Sequence, residues 1–334
     1  MRWLVTGGCG FIGGHVVRQL VSQQSAGNVY VMDARTRAAT QAKQVRDWLG
    51  DNLLHGSVTS PDDVRRAVGE SHPDVVLHLA AQSHVDSSLR DPNEAMLTNA
   101  YGTQVVATAC AQRGIPLVYC STDEVYGPAQ MRNDVPVPYC EGAAMHPSSP
   151  YSAGKAAGEH SVRAMGISAG LRYAITRGCN AFGSGQLAEK LVPIACALLQ
   201  RGEPVPLHGG GAQLRQWVSV TEFADALVFI ADGLQGGDLM AGQTYNIAGP
   251  RVCSVRELVL ALAAVAGVPA ERAIRSTVER PGQDAAYCID GALLSMFGWR
   301  ARTDILDTDN LRAMLASYAA ETRVHLAPYT EQSL

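Results

Sequence analysis

The sequence predicts an α/β chain, a doubly wound parallel sheet with a smaller C-terminal lobe. Three observations carry this expectation. Short apolar runs alternate with helical patterns through the first half of the chain, as in successive βαβ units. A glycine-rich turn joins the first run, Trp3-Leu4-Val5-Thr6, to the first helical pattern. The chain has 334 residues, 47% hydrophobic and 17% charged, enough apolar material for a large core and too little charge for disorder.

That length favours two lobes, 1–178 binding a nucleotide and 179–334 binding a substrate. No linker, repeat or low-complexity stretch separates them, so segments of the second are expected to cross back to the first. The net charge of -4 comes with no basic patch, which argues against a nucleic-acid partner. The eight cysteines include no CxxC pair, pointing to free thiols in a reducing compartment and to no metal site. The chain opens directly on a strand pattern, and no apolar stretch is long enough to span a bilayer. A cytoplasmic protein without a signal peptide or membrane segment is the expectation.

The first strand runs into Gly7-Gly8-Cys9-Gly10-Phe11-Ile12-Gly13, and helical periodicity follows from Gly14 to Ser22. Gly7, Gly10 and Gly13 place bare backbone where a pyrophosphate can approach a helix N-terminus. The next strand, Val29-Tyr30-Val31-Met32, ends in Asp33, twenty residues past Gly13. An acid there bonds the adenosine ribose hydroxyls and selects NAD over NADP. Arg35 and Arg37 follow at once and could instead hold a 2′-phosphate; the reading favours NAD. Residues 34–52 read as a loop and short helix, Leu53-Leu54-His55 as a strand, and 61–70 as a helix with proline near its start. Residues 74–81 form another strand that leads into Gln82-Ser83-His84-Val85-Asp86, with His78 read as a satisfied core histidine. Residues 93–113 read as one long helix.

That helix feeds the apolar run 115–120, and directly after it stand Ser121-Thr122-Asp123-Glu124-Val125-Tyr126-Gly127. Ligands of such sheets sit beyond the carboxyl ends of the strands. An unpaired buried carboxylate is costly, so Asp123 and Glu124 must face either solvent or a ligand. Tyr151 and Lys155, four residues apart, share one helix face, a phenol base acidified by a nearby ammonium. The strand 171–177 is expected to close the nucleotide domain near residue 178. Beyond it come a loop at 180–185, a helix over 187–201, and a strand then turn over 205–211. A short strand at 215–220 and a helix through Asp232, capped by Thr221-Glu222-Phe223, follow. The remaining elements are a strand at 245–247, a helix over 254–267 and a loop at 280–284.

The Gly7–Gly13 turn, Leu79-Ala80-Ala81, Tyr151 with Lys155 and the loop near Asn180 together resemble the extended short-chain dehydrogenase/reductase family, over nearly the whole chain. Within it, several segments are similar to the dTDP-glucose 4,6-dehydratases. These are the Ser121–Gly127 run, Ser83-His84-Val85-Asp86, Glu189-Lys190-Leu191, Arg215 with Trp217, and Arg280-Pro281-Gly282. The Thr122-Asp123-Glu124 triplet is the specific part, since related epimerases and decarboxylases carry small or hydroxyl residues there.

The resemblance implies a Rossmann-type fold, an NAD cofactor and a nucleotide-sugar substrate. It implies Tyr151 as the base for oxidation at C4, with Lys155 lowering its pKa and holding the nicotinamide ribose. Thr122 bonds the C4 oxygen, Asp123 is the acid at C6 and Glu124 the base at C5. An ionised base beside a protonated acid requires two carboxyl groups whose pKa values are driven apart. The resemblance places Gly7, Gly10, Phe11, Ile12, Gly13, Asp33, Leu79, Ala80, Ala81, Ser121, Tyr151 and Lys155 around NAD. It places Ser83, Thr122, Asn180, Lys190, Leu191, Arg215, Asn246 and Arg280 around the nucleotide sugar. It also implies a homodimer built on the 93–113 helix and the Tyr151 helix. Departures cluster in the substrate lobe, with His208 where a tyrosine is common, Gln216 for an aspartate and Gln283 for a histidine. The alternatives are a C4 epimerase or decarboxylase of the same family, and a non-catalytic NAD-binding protein.

Overall fold

A computed structural model describes residues 1–237, 240–278 and 284–318. Its centre is a seven-stranded sheet in the order Gln243–Ile247, Tyr173–Gly178, Leu117–Thr122, Val75–His78, Trp3–Thr6, Val29–Asp33, Leu53–His55. Every neighbouring pair is parallel. Trp3, Leu4 and Val5 are buried because helices cover both faces, which is why these strands read as unbroken apolar runs. On one face, helix Phe11–Gln23 packs between Ala42–Leu49 and Val220–Gly236. On the other lie Pro61–Ser71, Gly102–Arg113 and Pro150–Ala169. All strands run the same way, but the order in which they are added reverses between Trp3–Thr6 and Val75–His78, and the crevice beyond their carboxyl ends is where such folds bind ligands.

Several features differ from the sequence-based expectation, among them a strand, Asn180–Phe182, at the start of the loop expected over 180–185. The sheet continues past residue 178, because Gln243–Ile247 adds a seventh strand with Thr244 beside Ile175 and Asn246 beside Arg177. Helix Val220–Gly236 likewise belongs to the sheet's layer, so these two elements, beyond the expected close at 178, are segments of the kind expected to cross back to the first lobe. The 93–113 helix is three pieces: Pro92–Met96, a wider π-turn at Leu97–Tyr101, and Gly102–Arg113. Finally, Ser219 rather than Thr221 precedes the helix that runs through Asp232, and Thr221 lies inside its first turn.

The second lobe groups helices Leu191–Gln200, Val255–Ala266 and Thr308–Ser317 around a separate apolar cluster with Phe182 and Trp217. Its strands are Asn180–Phe182, Leu214–Ser219 and Arg251–Ser254 in one sheet, and Val205–His208 with Ile274–Thr277 in another. All eight cysteines are free, and seven are buried. No helix among the described residues is long and apolar enough to cross a membrane.

The glycine turn is fixed sterically. Gly7 has φ +72°, and a Cβ there would sit 2.6 Å from the Ala80 nitrogen. A Cβ on Gly13 would sit 2.2 Å from the Gly7 carbonyl oxygen. Gly13→Ala is therefore expected to cost about 1–3 kcal/mol through overpacking, read as a lower thermal unfolding midpoint.

Candidate active site

A cavity of about 780 Å³ opens at the carboxyl ends of the central strands and is walled by both lobes. Of the residues singled out in the sequence, Gly7, Gly10, Phe11, Ile12, Gly13, Asp33, Leu79, Ala80, Ala81 and Ser83 line its first-lobe side. Thr122, Asp123, Glu124 and Tyr151 line its centre, and Asn180, Lys190, Leu191 and Arg215 its far wall. Lys155, Ser121 and Asn246 do not line it, and Arg280 lies outside the described residues.

The first-lobe side fits a dinucleotide. Helix Phe11–Gln23 starts at Gly10 with no side-chain cap, so its first N–H groups are left for an anion. Asp33 is pinned at the wall, its carboxylate accepting the Cys9 N–H at 3.0 Å and the Arg35 N–H at 2.6 Å. The two arginines turn to protein partners. Arg35 donates to the Leu53 carbonyl at 3.3 Å, and Arg37 meets Glu189 at 3.0 Å. A fixed carboxylate with no arginine turned to it suits ribose hydroxyls and disfavours a 2′-phosphate.

The floor of this side is tied by Asn99, which the π-turn aims at the backbone of Gln82. The Gln82 N–H donates to Asn99 Oδ1 at 2.8 Å, and Asn99 Nδ2 donates to the Gln82 carbonyl at 2.9 Å. His78 is the satisfied core residue expected, bonded to Thr6 Oγ1 at 2.7 Å and Thr103 Oγ1 at 3.1 Å. The Thr103 hydroxyl is committed to the Asn99 carbonyl, so it accepts from Nε2–H and leaves Nδ1 to accept from Thr6. Burial, then the Lys155 charge, push His78 down to about 3, which keeps it neutral.

At the centre, strand Leu117–Thr122 ends in a tight turn, Asp123–Tyr126. Gly127 closes that turn at φ +76°, where a Cβ would lie 2.4 Å from the His146 carbonyl oxygen. Thr122 Oγ1 accepts the Glu124 N–H and donates to Asp123 Oδ1, each at 3.3 Å. Asp123 is 4% exposed, and its Oδ2 has no hydrogen-bond partner among the described residues. Burial, then the neighbouring Glu124, push its carboxyl up to about 7, against the opposing pull of Arg215 and the Thr122 bond.

Tyr151 begins helix Pro150–Ala169, which starts on a Ser149/Ser152 capping box with proline in its first turn. Burial, then Glu124, hold its phenol well above the ordinary tyrosine value, and a hydrogen bond to Thr122 works the other way. Lys155, one turn on, is buried with its ammonium on the Cys120 carbonyl at 2.7 Å. The acidification expected of Lys155 is therefore outweighed by burial and by Glu124.

Two residues expected at the ligands, Asn246 at the nucleotide sugar and Ser121 at NAD, do not line the cavity. Asn246 is a fully buried tie within the protein, accepting from the Tyr126 hydroxyl at 2.8 Å and donating to the carbonyls of Tyr139 and Asp290. Ser121 pairs in register with Arg177, on the side of the strand that faces Glu159 rather than the cavity. Arg215 does line the cavity, with its guanidinium over the Tyr287 ring at 4.6 Å and bonded to the Leu214 and Asp284 carbonyls. Tyr287 and Gln213 belong to this wall and were not singled out, while Glu189, read in the sequence only as part of the Glu189-Lys190-Leu191 segment, supports it. Tyr287 sits in no motif. Glu189 joins the lobes by meeting both Arg37 and His84, at 3.0 and 3.5 Å.

The chain is similar to known proteins in sequence and in fold. Residues 3–248 match the model of the NAD dependent epimerase/dehydratase family. The dTDP-glucose 4,6-dehydratase 1 of Escherichia coli is 34% identical, over 90% of this chain and 88% of that protein. The crystal structure of DesIV, a dTDP-glucose 4,6-dehydratase from Streptomyces venezuelae with NAD bound, superposes with a TM-score of 0.85. It is 33% identical, covering 95% of this chain and 97% of that one. A UDP-glucose 4-epimerase from Thermus thermophilus in complex with NAD reaches a TM-score of 0.82 at 27% identity, covering 95% of this chain and 99% of that one. By a match that runs from residue 3 to residue 248, this chain belongs to the NAD dependent epimerase/dehydratase family.

Proposed function

We propose that the protein is an NAD-dependent nucleotide-sugar 4,6-dehydratase, converting dTDP-glucose or a related nucleotide hexose to the 4-keto-6-deoxy sugar. One observation carries this reading. Asp123, buried, held near neutrality and with one oxygen unpartnered, stands directly beside Glu124 in the same cavity as Tyr151. An epimerase needs only the tyrosine; a water elimination needs the acid and the base as well.

In this reading Gly7, Gly10 and Gly13 with the helix N-terminus hold the pyrophosphate of NAD, and Asp33 its adenosine ribose. NAD, when bound, supplies a positively charged nicotinamide that accepts a hydride from the sugar C4 and returns it at C6. Tyr151 takes the C4 hydroxyl proton, and Thr122 bonds the same oxygen. The resulting ketone acidifies the C5 hydrogen, which Glu124 removes. Asp123 gives its proton to the departing C6 hydroxyl, so water leaves and the carboxyl pair exchanges protonation states. Lys190 and Arg215 face the nucleotide diphosphate, a role the planar guanidinium suits. Glu124 gives its proton back to C5 as the hydride returns to C6, the proton on Tyr151 restores that of Asp123 through solvent, and the reaction is redox-neutral because the hydride taken from C4 is the one returned.

The test is a panel of dTDP-, UDP-, GDP- and CDP-hexoses followed by product mass and reduced-nicotinamide absorbance. Loss of one water with no net reduced cofactor is the expected result. Inversion at C4 or loss of carbon dioxide instead would give the protein to the epimerases or decarboxylases of the family. Binding of NAD with no turnover of any sugar would leave the non-catalytic reading.

We also infer a homodimer. Leu97 and Tyr101 of the π-turn, with Met96 and Leu89 before it, are large apolar side chains left 42–53% exposed on the face beside helix Pro150–Ala169. A second copy of that helix pair is the occupant the family resemblance implies. Leu97→Arg should convert a dimer in sedimentation to a monomer. Free thiols throughout fit a reducing compartment, and the cytoplasm is the proposed location.

A further inference from the structure

The helix that carries Tyr151 repeats a polar residue every four positions, at Tyr151, Lys155, Glu159 and Arg163. Glu159 is fully buried and takes Arg177 in a two-point grip, Nε to Oε1 at 2.9 Å and Nη2 to Oε2 at 2.6 Å. Arg163 adds a contact to the same carboxylate at 3.0 Å. Arg177 is 2% exposed, and its Nη1 donates to the Glu141 carbonyl at 3.2 Å. The guanidinium carbon lies 4.4 Å from the centre of the Tyr126 ring. Tyr126 is the last residue of the turn that begins with Asp123.

A buried ion pair is weak evidence for stability, because an apolar pair of similar volume often serves as well. What a two-point grip does fix is the plane of the guanidinium. The Tyr126 ring rests on that plane, and its hydroxyl is tied to the buried Asn246. Tyr151 is held by other means. It sits beside the capping box at the helix start, about 12 Å along the axis from Glu159, and Lys155 below it is bound to the Cys120 carbonyl.

We propose that Glu159 and Arg177 are a positioning pair which acts through Tyr126 to hold the turn presenting Asp123 and Glu124. They serve the loss of water and not the oxidation at C4. This rests on the dehydratase reading above.

The experiment separates the two halves of the reaction. The full nucleotide hexose reports water loss by mass. The matching 6-deoxy hexose has a C4 hydroxyl to oxidise and no C6 hydroxyl to lose. Its C4 hydride passes to NAD and its hydroxyl proton to Tyr151, so it reports oxidation alone as reduced-nicotinamide absorbance. In the E159M/R177M protein, water loss should fall about 10²-fold, the cost of misplacing reacting groups by roughly 1 Å, while oxidation of the 6-deoxy sugar keeps its rate and KM. Tyr126→Leu, which removes the ring and leaves the ion pair, should show the same split; Tyr126→Phe, which keeps the ring, should show little of it. Thermal unfolding checks that each protein is folded, and if the double variant is not, Tyr126→Leu decides by the same comparison. Equal losses in both halves, or no loss in either, overturn the proposal. A wild-type protein that oxidises the 6-deoxy sugar yet loses water from no full sugar overturns the dehydratase reading itself.

Discussion

Glu124→Gln should slow water loss by about 10²–10⁴-fold, the usual contribution of a positioned base, while the protein still oxidises a 6-deoxy nucleotide hexose. Glutamine has the same shape and cannot take the C5 proton. The substitution also removes a negative charge that holds the Tyr151 phenol up, so the oxidation half should be undiminished or faster. Reduced-nicotinamide absorbance with the 6-deoxy sugar and product mass with the full sugar measure the two halves. Equal loss of both would take from Glu124 the role given to it.

Asp123→Asn should lose turnover to a similar degree and gain stability at alkaline pH. The carboxyl is raised to about 7 in the folded protein from an ordinary value of 3.8. Below the lower value both states hold the proton and the carboxyl costs nothing. As pH rises between the two values the unfolded chain ionises and the folded one does not, so folding grows less favourable, and above about 7 the full penalty is present. Asparagine has no proton to lose and escapes that penalty, on the order of a few kcal/mol for a shift of this size. Urea unfolding of both proteins should agree near pH 4 and diverge by about pH 8, with the variant more stable. The same value sets the wild-type rate profile. If Asp123 must be protonated to act, water loss declines as pH rises through about 7, and an unchanged rate to about pH 9 would deny it that role.

Much of this site is legible in the chain because its parts are local. The glycine spacing, the acid twenty residues on, the carboxylate pair after a buried run and the Tyr–Lys spacing each depend on neighbours in sequence. The placements that were not legible depend on distant partners. Asn246 in a short strand looks like any polar residue near a ligand until Tyr126, Tyr139 and Asp290 are seen to use all of it. Ser121 has the right neighbours, but strand alternation turns it from the cavity towards Glu159. The seventh strand escaped because a run as short as Tyr245-Asn246-Ile247 does not say which edge it joins. That the Tyr151 phenol is held up rather than acidified escaped because Lys155 has the expected spacing, and only the fold shows the burial, the nearby Glu124 and the Lys155 ammonium spent on a backbone carbonyl.

The late arrival of that seventh strand bears on how the protein is made. When a ribosome has released only the first 178 residues, Tyr173–Gly178 has an unpaired edge, and the sheet face that Val220–Gly236 will cover is bare. An open parallel edge beside exposed apolar surface is what draws neighbouring chains together. The nascent polypeptide stays in that state until Ile247 has cleared the exit tunnel, so chaperone demand during translation should peak between those two points. A stop codon anywhere in that interval would yield an aggregate rather than a smaller nucleotide-binding protein.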